Sequence, residues 1–561
     1  MSNIAEKVRE HIRQLLGQAI QRGTISAELP QVDLEGIPVE APKDPGHGDL
    51  ASTVAMLLSR RVRKPPTLIA ESLMKLIDCP SQYVEQVDVA GAGFINFRLR
   101  DCWLHEAIIA ADEEGDDYGR TDLGKGRKVQ IEFVSANPTG PMNVVNARAA
   151  AVGDVLANLF DFTGFDITRE YYINDAGRQV DVLGESLEIR YRQLLGEKVE
   201  LPEQSYRGEY ITDLAKLARS EHSDAISRMA EDEKKAFFRE FALKNILDWQ
   251  RASLSRFGVK FDNWFSERTL VEAGADQQVF DYLKEHGYLY DAEGATWFRS
   301  TQFGDDKDRV LIKSDGASTY LLRDLAYHRN KLQRGFEHII DIWGPDHHGY
   351  VARTRAGLIA MGYPESVFEV LILQLVTLYS NGEQVRMSKR AGEFITMDEL
   401  LDEVGKDAAR YFFVARSTDS HLDFDIELAK KESQENPVYY IQYAHARIAS
   451  ILRQADSLSI DQPSARKCRL DLLTEDVEKA LAKAICFFPD EIVAAMKERA
   501  PNRIAKYALD LAGIFHNFYN RCRVISENRD LTQARLALIR ATKVALGNSL
   551  RILGVSRPEK M

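Results

Sequence analysis

Two segments of this 561-residue chain hold residue types suited to a polyphosphate. The first reads IEFVSANPTGPMNVVNARAAAVGD: an apolar strand, a tight turn at Asn137–Pro141, then a helical pattern from Asn143. Within that pattern Val152, Val155, Leu156, Leu159 and Phe160 recur at i, i+3, i+4, i+7 and i+8. The opening N–H groups of a helix lack intrahelical partners and lie at the positive end of its dipole, so this strand, turn and helix start is a candidate anion cradle. The second segment is GEQVRMSKRAGEF, where two glycines flank a basic run with Ser388 and Lys389 at its centre. A loop that carries Lys389 to a polyphosphate would stabilise charge developing there. Taken singly, each segment also fits a bland role, an ordinary α/β turn or a solvated surface loop.

The elements that must position them follow from periodicity. DITREYYIND, after the helix, reads as a strand, and strand–turn–helix–strand is a βαβ unit that predicts a parallel sheet. Sheet-like runs return in RVLIKS, HIIDIWG and VFEVLILQLVTLYS. Between them, about 178–300, the chain is charge-rich and mostly helical, with no catalytic-looking cluster, and reads as an insertion. The first hundred residues hold a helix, a Gly/Pro/Asp loop (PKDPGHGDLAS) and two short strands around a Gly turn (VDVAGAGFINFRL), a small α+β module. His47 in that loop is either a turn residue or a ligand-facing one. After about 400 nearly everything has helical period, so the C-terminal third is an all-α bundle. The predicted organisation is an N-terminal α+β module (1–110), a Rossmann-type α/β domain (120–395) with its helical insertion, a connector (396–435) and a helical bundle (436–561).

The composition, 45% hydrophobic and 28% charged, is that of a folded globular chain. The 73 Lys+Arg against 85 Asp+Glu give −12, which on its face argues against a nucleic-acid partner. The average hides a gradient. From Lys497 onward there are 13 Lys+Arg and 5 Asp+Glu, a net of +8 that leaves −20 on the remainder. This tail interleaves basic and aromatic residues, the pairing that single-stranded bases need for phosphate contact and stacking. Tyr507, Tyr519, Arg521 and Arg523 are its candidates, although aromatics at helical spacing are more often core. No run approaches 18 apolar residues, and the N-terminus lacks a signal peptide's apolar stretch, so a cytoplasmic, non-membrane location is expected. Five widely spaced cysteines without a CxxC pair predict neither disulfides nor a zinc site. Asp346 and His347 in DHHG have ligand chemistry. Adjacent residues rarely face one metal, however, and no third ligand stands at helical spacing, so no metal site is expected.

Taken together, the two segments resemble the signatures of class I aminoacyl-tRNA synthetases: PTGPMNVVNAR lies where that class carries its His-x-Gly-His motif, and VRMSK is similar to its Lys-Met-Ser-Lys loop. IEFVSANPTG, REYYINDAGRQ, TYLLRDLAYH, DIWGPDHHGY, RMSKRAGEF, HLDFDIELAKKESQENPVYYIQYAHAR, HGDLAS and GAGFINF narrow the resemblance to the bacterial-type arginyl-tRNA synthetase family, over essentially the whole chain. The resemblance implies ATP-dependent activation of L-arginine and transfer to tRNA(Arg), a Rossmann-type catalytic domain, an N-terminal tRNA-binding module and a helical anticodon-binding domain. It also implies ATP with Mg2+ as substrate, no other cofactor, and a monomer. Residue by residue, it places ATP against Ala136, Pro138, Thr139, Gly140, Asn143, Val145, Asn146, Asp346, His347, Met387 and Lys389, with Asn143, Asn146, Ser388 and Lys389 acting in catalysis. It places arginine against Glu132, Ser135, Asn137, Tyr320 and Asp324, the last two at the guanidinium and four residues apart.

The sequence departs from the family's first motif, since both histidines are asparagines (Asn143, Asn146) and the glycine is Val145. Asn can donate a hydrogen bond but stays neutral, and losing charge-assisted donors costs about 1–3 kcal/mol of transition-state binding, roughly a five- to 150-fold rate effect. Two readings follow: an active enzyme working with neutral donors, or a tRNA-binding paralogue with impaired catalysis. Retention of RMSK, the amino-acid pocket and the C-terminal domain together favours the enzyme. A nucleotidyltransferase without tRNA is disfavoured by the basic tail.

Overall fold

The computed structural model describes residues 3–25, 36–42, 44–385 and 395–561. Its centre is a five-stranded parallel sheet whose order across the sheet is Phe368–Ile372, His338–Trp343, Lys128–Glu132, Asp166–Ile173 and Asn263–Ser266. Lys128–Glu132 has its sequence successor on one side and His338–Trp343 on the other. Strand order therefore reverses between these two, and ligands of open α/β sheets bind in the crevice at the carboxyl ends of such strands. The predicted βαβ unit is present: strand Lys128–Glu132, helix Val144–Phe162, strand Asp166–Ile173. The helix is buried almost throughout, and Gly153 lies so close to the Phe133 ring that an added Cβ would come within 2.2 Å of it.

The insertion is not the single block the sequence suggests. Helices Arg178–Leu194, Glu209–Arg228 and Glu231–Arg256 pack around Leu183, Leu187, Phe238 and Ile246. The chain then returns to the main sheet with the edge strand Asn263–Ser266 before leaving again for an antiparallel meander, Leu289–Ala292, Ala295–Phe298 and Arg309–Ile312. Four residues without alternating polarity are too short a run for periodicity to detect.

A second correction lies past 400, where Leu422–Asp425 is a strand, paired in parallel with Val376–Ser380. The N-terminal module is a three-stranded antiparallel sheet with Phe94–Leu99 in the middle, backed by helices Ile4–Ile25, Val54–Val62 and Pro66–Leu76. The C-terminal bundle comprises Pro437–Ser457, Asp476–Cys486, Phe488–Lys497, Asn502–Arg521 and Arg529–Leu553. Among the described residues no helix is long and apolar enough to cross a membrane, and no group of three or more His, Cys, Asp or Glu is arranged to hold a metal ion.

Candidate active site

At the sheet crevice lies a cavity of about 440 Å3, a size that accepts a small polar ligand. Glu132, at the end of its strand, and Ser135, just beyond it, line one wall, and the Ser135 hydroxyl donates to Glu132 Oε1 at 2.8 Å. The chain turns sharply here. Ser135 N–H reaches back to the Phe133 carbonyl at 3.0 Å, which puts Val134 at φ +69°. A β-branched residue in that region is strained, and such strain persists only where the surroundings over-determine it. The helix Tyr320–Gln333 supplies the opposite wall. Tyr320 is its first residue, 79% exposed at the rim, and Asp324 is one turn further in. Asp324 Oδ2 accepts from the Thr354 hydroxyl at 2.7 Å.

The bland role for Asp324 is a surface ion pair with Arg323 or a neighbour; Nδ1 of buried His328 does stand 3.3 Å from its Oδ1, but Arg323 does not pair with it. Instead Arg323 binds Glu267 at 2.6 Å and Asp276 at 3.4 Å, leaving Asp324 facing the cavity. Glu267 lines the same cavity and belongs to the insertion, so the expectation of no chemistry in 178–300 is corrected: the returning edge strand delivers a carboxylate. Tyr172, Asn174, Tyr327, Asp341 and Trp343 are further lining residues the sequence reading missed. His347 is on the wall, whereas Asp346 is exposed and off it.

Beneath the floor, Lys331 is fully buried and donates to Glu132 Oε2 at 2.6 Å and Asp341 Oδ1 at 2.7 Å. Burial alone would lower the Lys331 ammonium, but Asp341 and Glu132 hold it above its ordinary range. Asp341 is held below the usual carboxylate range, because Lys331 and His328 outweigh its burial. Helical spacing from Asp324 (i+4 and i+7) was the signal that could have found His328 and Lys331.

Asn143 caps the helix Val144–Phe162, its Oδ1 accepting the N–H of Val145 at 2.9 Å and of Asn146 at 3.1 Å, while Asn146 Oδ1 accepts the Asn143 N–H at 3.0 Å. This reciprocal capping box corrects the anion-cradle expectation, since these backbone N–H groups are already satisfied and are not free for a phosphate. Neither Nδ2 has a partner among the described residues, so two neutral donors remain beside the dipole. Val145 is half-buried.

The turn before the helix is held from behind. Tyr171 donates to the Ala136 carbonyl at 3.0 Å, Tyr210 to Thr139 at 2.6 Å, and Gln250 to Asn137 at 3.2 Å and Gly140 at 3.0 Å. Pro138 is buried. Tyr210 and Gln250 come from the helical insertion, which therefore braces the loop. Gln250→Leu removes both donors and leaves the carbonyls unpaired, about 1–3 kcal/mol of local destabilisation. The expected result in steady-state kinetics is a KM for ATP raised about tenfold, with a much smaller change for the amino acid.

Met387, Ser388 and Lys389 lie outside the described residues. Their C-terminal flank does not: Asn143 bridges Thr396, and the Met397 N–H donates to the Met142 carbonyl at 2.8 Å. On the other flank, fully buried Arg148 gathers the carbonyls of Gln374, Leu375, Ser417 and Ser420 at 2.7–3.3 Å. Described residues on both sides of 386–394 are therefore tied to the start of the helix Val144–Phe162 or its first two turns.

In the C-terminal bundle Tyr507 does not offer a free ring. It stacks on Phe488, and its hydroxyl donates to the Ala484 carbonyl at 3.0 Å, so one ring face and the hydroxyl are engaged within the domain. Tyr519 is exposed, with the Arg447 guanidinium 4.6 Å from its ring centre. Much of the basic tail is paired: Arg499 with Glu369, Arg503 with Glu491, Arg535 with Glu478, Arg540 with Asp112 and Arg557 with Asp116. Arg521 and Arg523 are exposed and in no ion pair among the described residues.

Comparison with known proteins decides the family. The model "tRNA synthetases class I (R), catalytic domain" matches residues 109–431, "Arginyl tRNA synthetase N terminal domain" matches 3–99, and "DALR anticodon binding domain" matches 441–561. The chain belongs to the arginyl-tRNA synthetase family of class I. Within this family it is 49% identical to the arginine–tRNA ligase of Desulforudis audaxviator, over 96% of this chain and 97% of that one. It is 48% identical to that of Geobacillus kaustophilus over both full lengths. The Thermus thermophilus arginyl-tRNA synthetase structure shares the fold, with a TM-score of 0.75 at 24% identity, covering 99% of this chain and all of that one. A synthetase of this family uses ATP as substrate, and the cavity, the braced turn and the capped helix fall within the part matched by the catalytic-domain model.

Proposed function

We propose that this chain is an arginine–tRNA ligase. An arginine carboxylate oxygen attacks the α-phosphorus of ATP and the bond to pyrophosphate breaks, giving arginyl-adenylate. The terminal ribose hydroxyl of tRNA(Arg) then attacks the arginyl carbonyl and AMP leaves. The observation that carries this reading is a cavity with Asp324, Glu132 and Glu267 on its walls, in the same domain as the helix start that pairs with Thr396. Carboxylates at fixed positions suit a planar, five-donor guanidinium. Asp324 and Tyr320 receive the guanidinium. Ser135, Asn137 and Glu132 hold the α-amino end.

ATP lies along Ala136–Gly140 towards Asn143, Val145 and Asn146, with His347 on the adenosine side. The Nδ2 groups of Asn143 and Asn146 donate to its phosphates. Mg2+ arrives with ATP, held mainly by phosphate and water. Met387, Ser388 and Lys389 close on the phosphates, and Tyr519, Arg521 and Arg523 meet the tRNA. The chain acts as a cytoplasmic monomer.

The test is ATP–pyrophosphate exchange with arginine and cognate tRNA, followed by charging. Tight tRNA binding with neither activity would overturn this reading in favour of the impaired paralogue. Lys389→Ala is expected to slow adenylate formation more than tenfold with little change in tRNA affinity. Equal rates in both proteins would remove Lys389 from the reaction.

A further inference from the structure

His328 lies under the cavity floor, 1% exposed, between two oxygen partners. Its Nδ1 is 2.7 Å from the Asp324 carbonyl oxygen, with Asp324 Oδ1 at 3.3 Å, and its Nε2 is 2.8 Å from Asp341 Oδ2. A carbonyl only accepts, and so does a carboxylate. Asp341 is ionised, since against its burial it is held below the usual carboxylate range with the Lys331 ammonium at its other oxygen. Both ring nitrogens must therefore donate, and a neutral imidazole has only one N–H. The remaining groups facing the ring are the Lys331 ammonium and Tyr327 ring of its own helix, Trp343 on the next strand and Phe368, whose ring centre is 4.9 Å away. A bare nitrogen would need a donor, and none of these supplies one to the ring: the Lys331 ammonium donates to Glu132 and Asp341, and the Tyr327 hydroxyl to Glu170.

We propose that His328 is held as a buried imidazolium and serves as a positioning residue for arginine recognition, tying Asp324 to Asp341 so that the Asp324 carboxylate is fixed towards the cavity. The inference rests on the reading of Asp324 as a guanidinium partner. Burial alone would depress the imidazole, but Asp324 and Asp341 outweigh both burial and Lys331 and raise it to about 10. The cation also serves selectivity. With His328 and Lys331 neutralising charge from below, Asp324 keeps its outer face for a cation from the solvent side, in a plane that a guanidinium matches better than an ammonium.

Protein labelled with 15N-histidine should show two protonated His328 nitrogens that persist at about pH 8, above the ordinary imidazole range. A bare nitrogen at that pH overturns the proposal. The signal is assigned with whichever of His328→Gln and His328→Asn folds or, if neither does, by its proximity to the Phe368 ring protons. In ATP–pyrophosphate exchange with tRNA, His328→Gln is expected to raise the KM for arginine about tenfold while the KM for ATP stays within about twofold; an unchanged KM for arginine overturns the role. Asp324→Asn, run alongside, separates the two levels. If Asp324→Asn raises the KM for arginine and His328→Gln does not, only the His328 role falls. If neither does, the guanidinium reading of Asp324 falls with it.

Discussion

Asp324→Asn is expected to lower kcat/KM for arginine by about a hundred- to a thousandfold while the KM for ATP changes little. The side chain keeps its shape and its acceptance from Thr354, and His328 keeps its bonds to the Asp324 backbone carbonyl and to Asp341, which hold the surrounding fold. What it loses is the charge. A desolvated carboxylate–guanidinium pair contributes about 3–4 kcal/mol more than its neutral counterpart, and each 1.36 kcal/mol is tenfold in rate. Neighbouring carboxylates do not substitute, since Glu267 is already paired with Arg323, and Glu132 and Asp341 with Lys331. Steady-state exchange kinetics with arginine and ATP varied in turn provide the check. A kcat/KM for arginine within threefold of wild type would remove Asp324 from recognition.

The second large effect is on the fold itself. Lys331→Met is expected to destabilise the catalytic domain by about 3–5 kcal/mol, the usual consequence of leaving buried carboxylates without their cation. Glu132 is left without a cation and Asp341 with His328 alone, each having stood within 2.7 Å of the ammonium that vanishes. The effect has a pH signature. Asp341 is held below its ordinary range in the folded protein, so its stabilisation is complete above the unfolded carboxylate range and is lost as pH falls through the lowered native value. Weakening that hold shrinks the part of the stability that wild type loses in acid, so the deficit of Lys331→Met relative to wild type narrows as pH falls through the carboxylate range. Adding Glu132→Gln and Asp341→Asn removes the stranded charges and should recover much of the stability without recovering arginine affinity. Thermal unfolding across pH distinguishes this from a packing defect, whose deficit would be the same at every pH and would gain nothing from the added changes.

Several features were legible in the residues. Helical spacing after Asn143 and the β-rich runs around it specified a parallel α/β unit, because side-chain periodicity is a local property of the chain. The spacing of Tyr320 and Asp324 put them one helical turn apart, and the helix begins at Tyr320. The capping role of Asn143 was also available in principle, since Asn is among the strongest N-cap residues. Residue type does not choose between its two ends, since the amide nitrogen can donate to a phosphate while the oxygen caps the helix backbone.

Other features were not legible, for identifiable physical reasons. Gln250 and Tyr210 brace a turn 110 and 71 residues earlier, respectively, and no local pattern encodes which distant carbonyl a buried amide will satisfy. Glu267 reaches the cavity because a four-residue edge strand returns to the sheet. Tyr507 and Tyr519 share the same basic–aromatic text, yet one stacks into the bundle and the other faces solvent under Arg447. The basic tail, read as a surface for a polyanion, pairs much of its charge with acids from the rest of the chain. The sequence by itself determined the elements, their order and the family signatures, because propensity, periodicity and motif spacing act along the chain. Only the tertiary structure decided which charges neutralise one another. Burial makes an unpaired ion costly, and the partners that remove that cost are set by distance in space, as Lys331 and His328 are beneath the cavity.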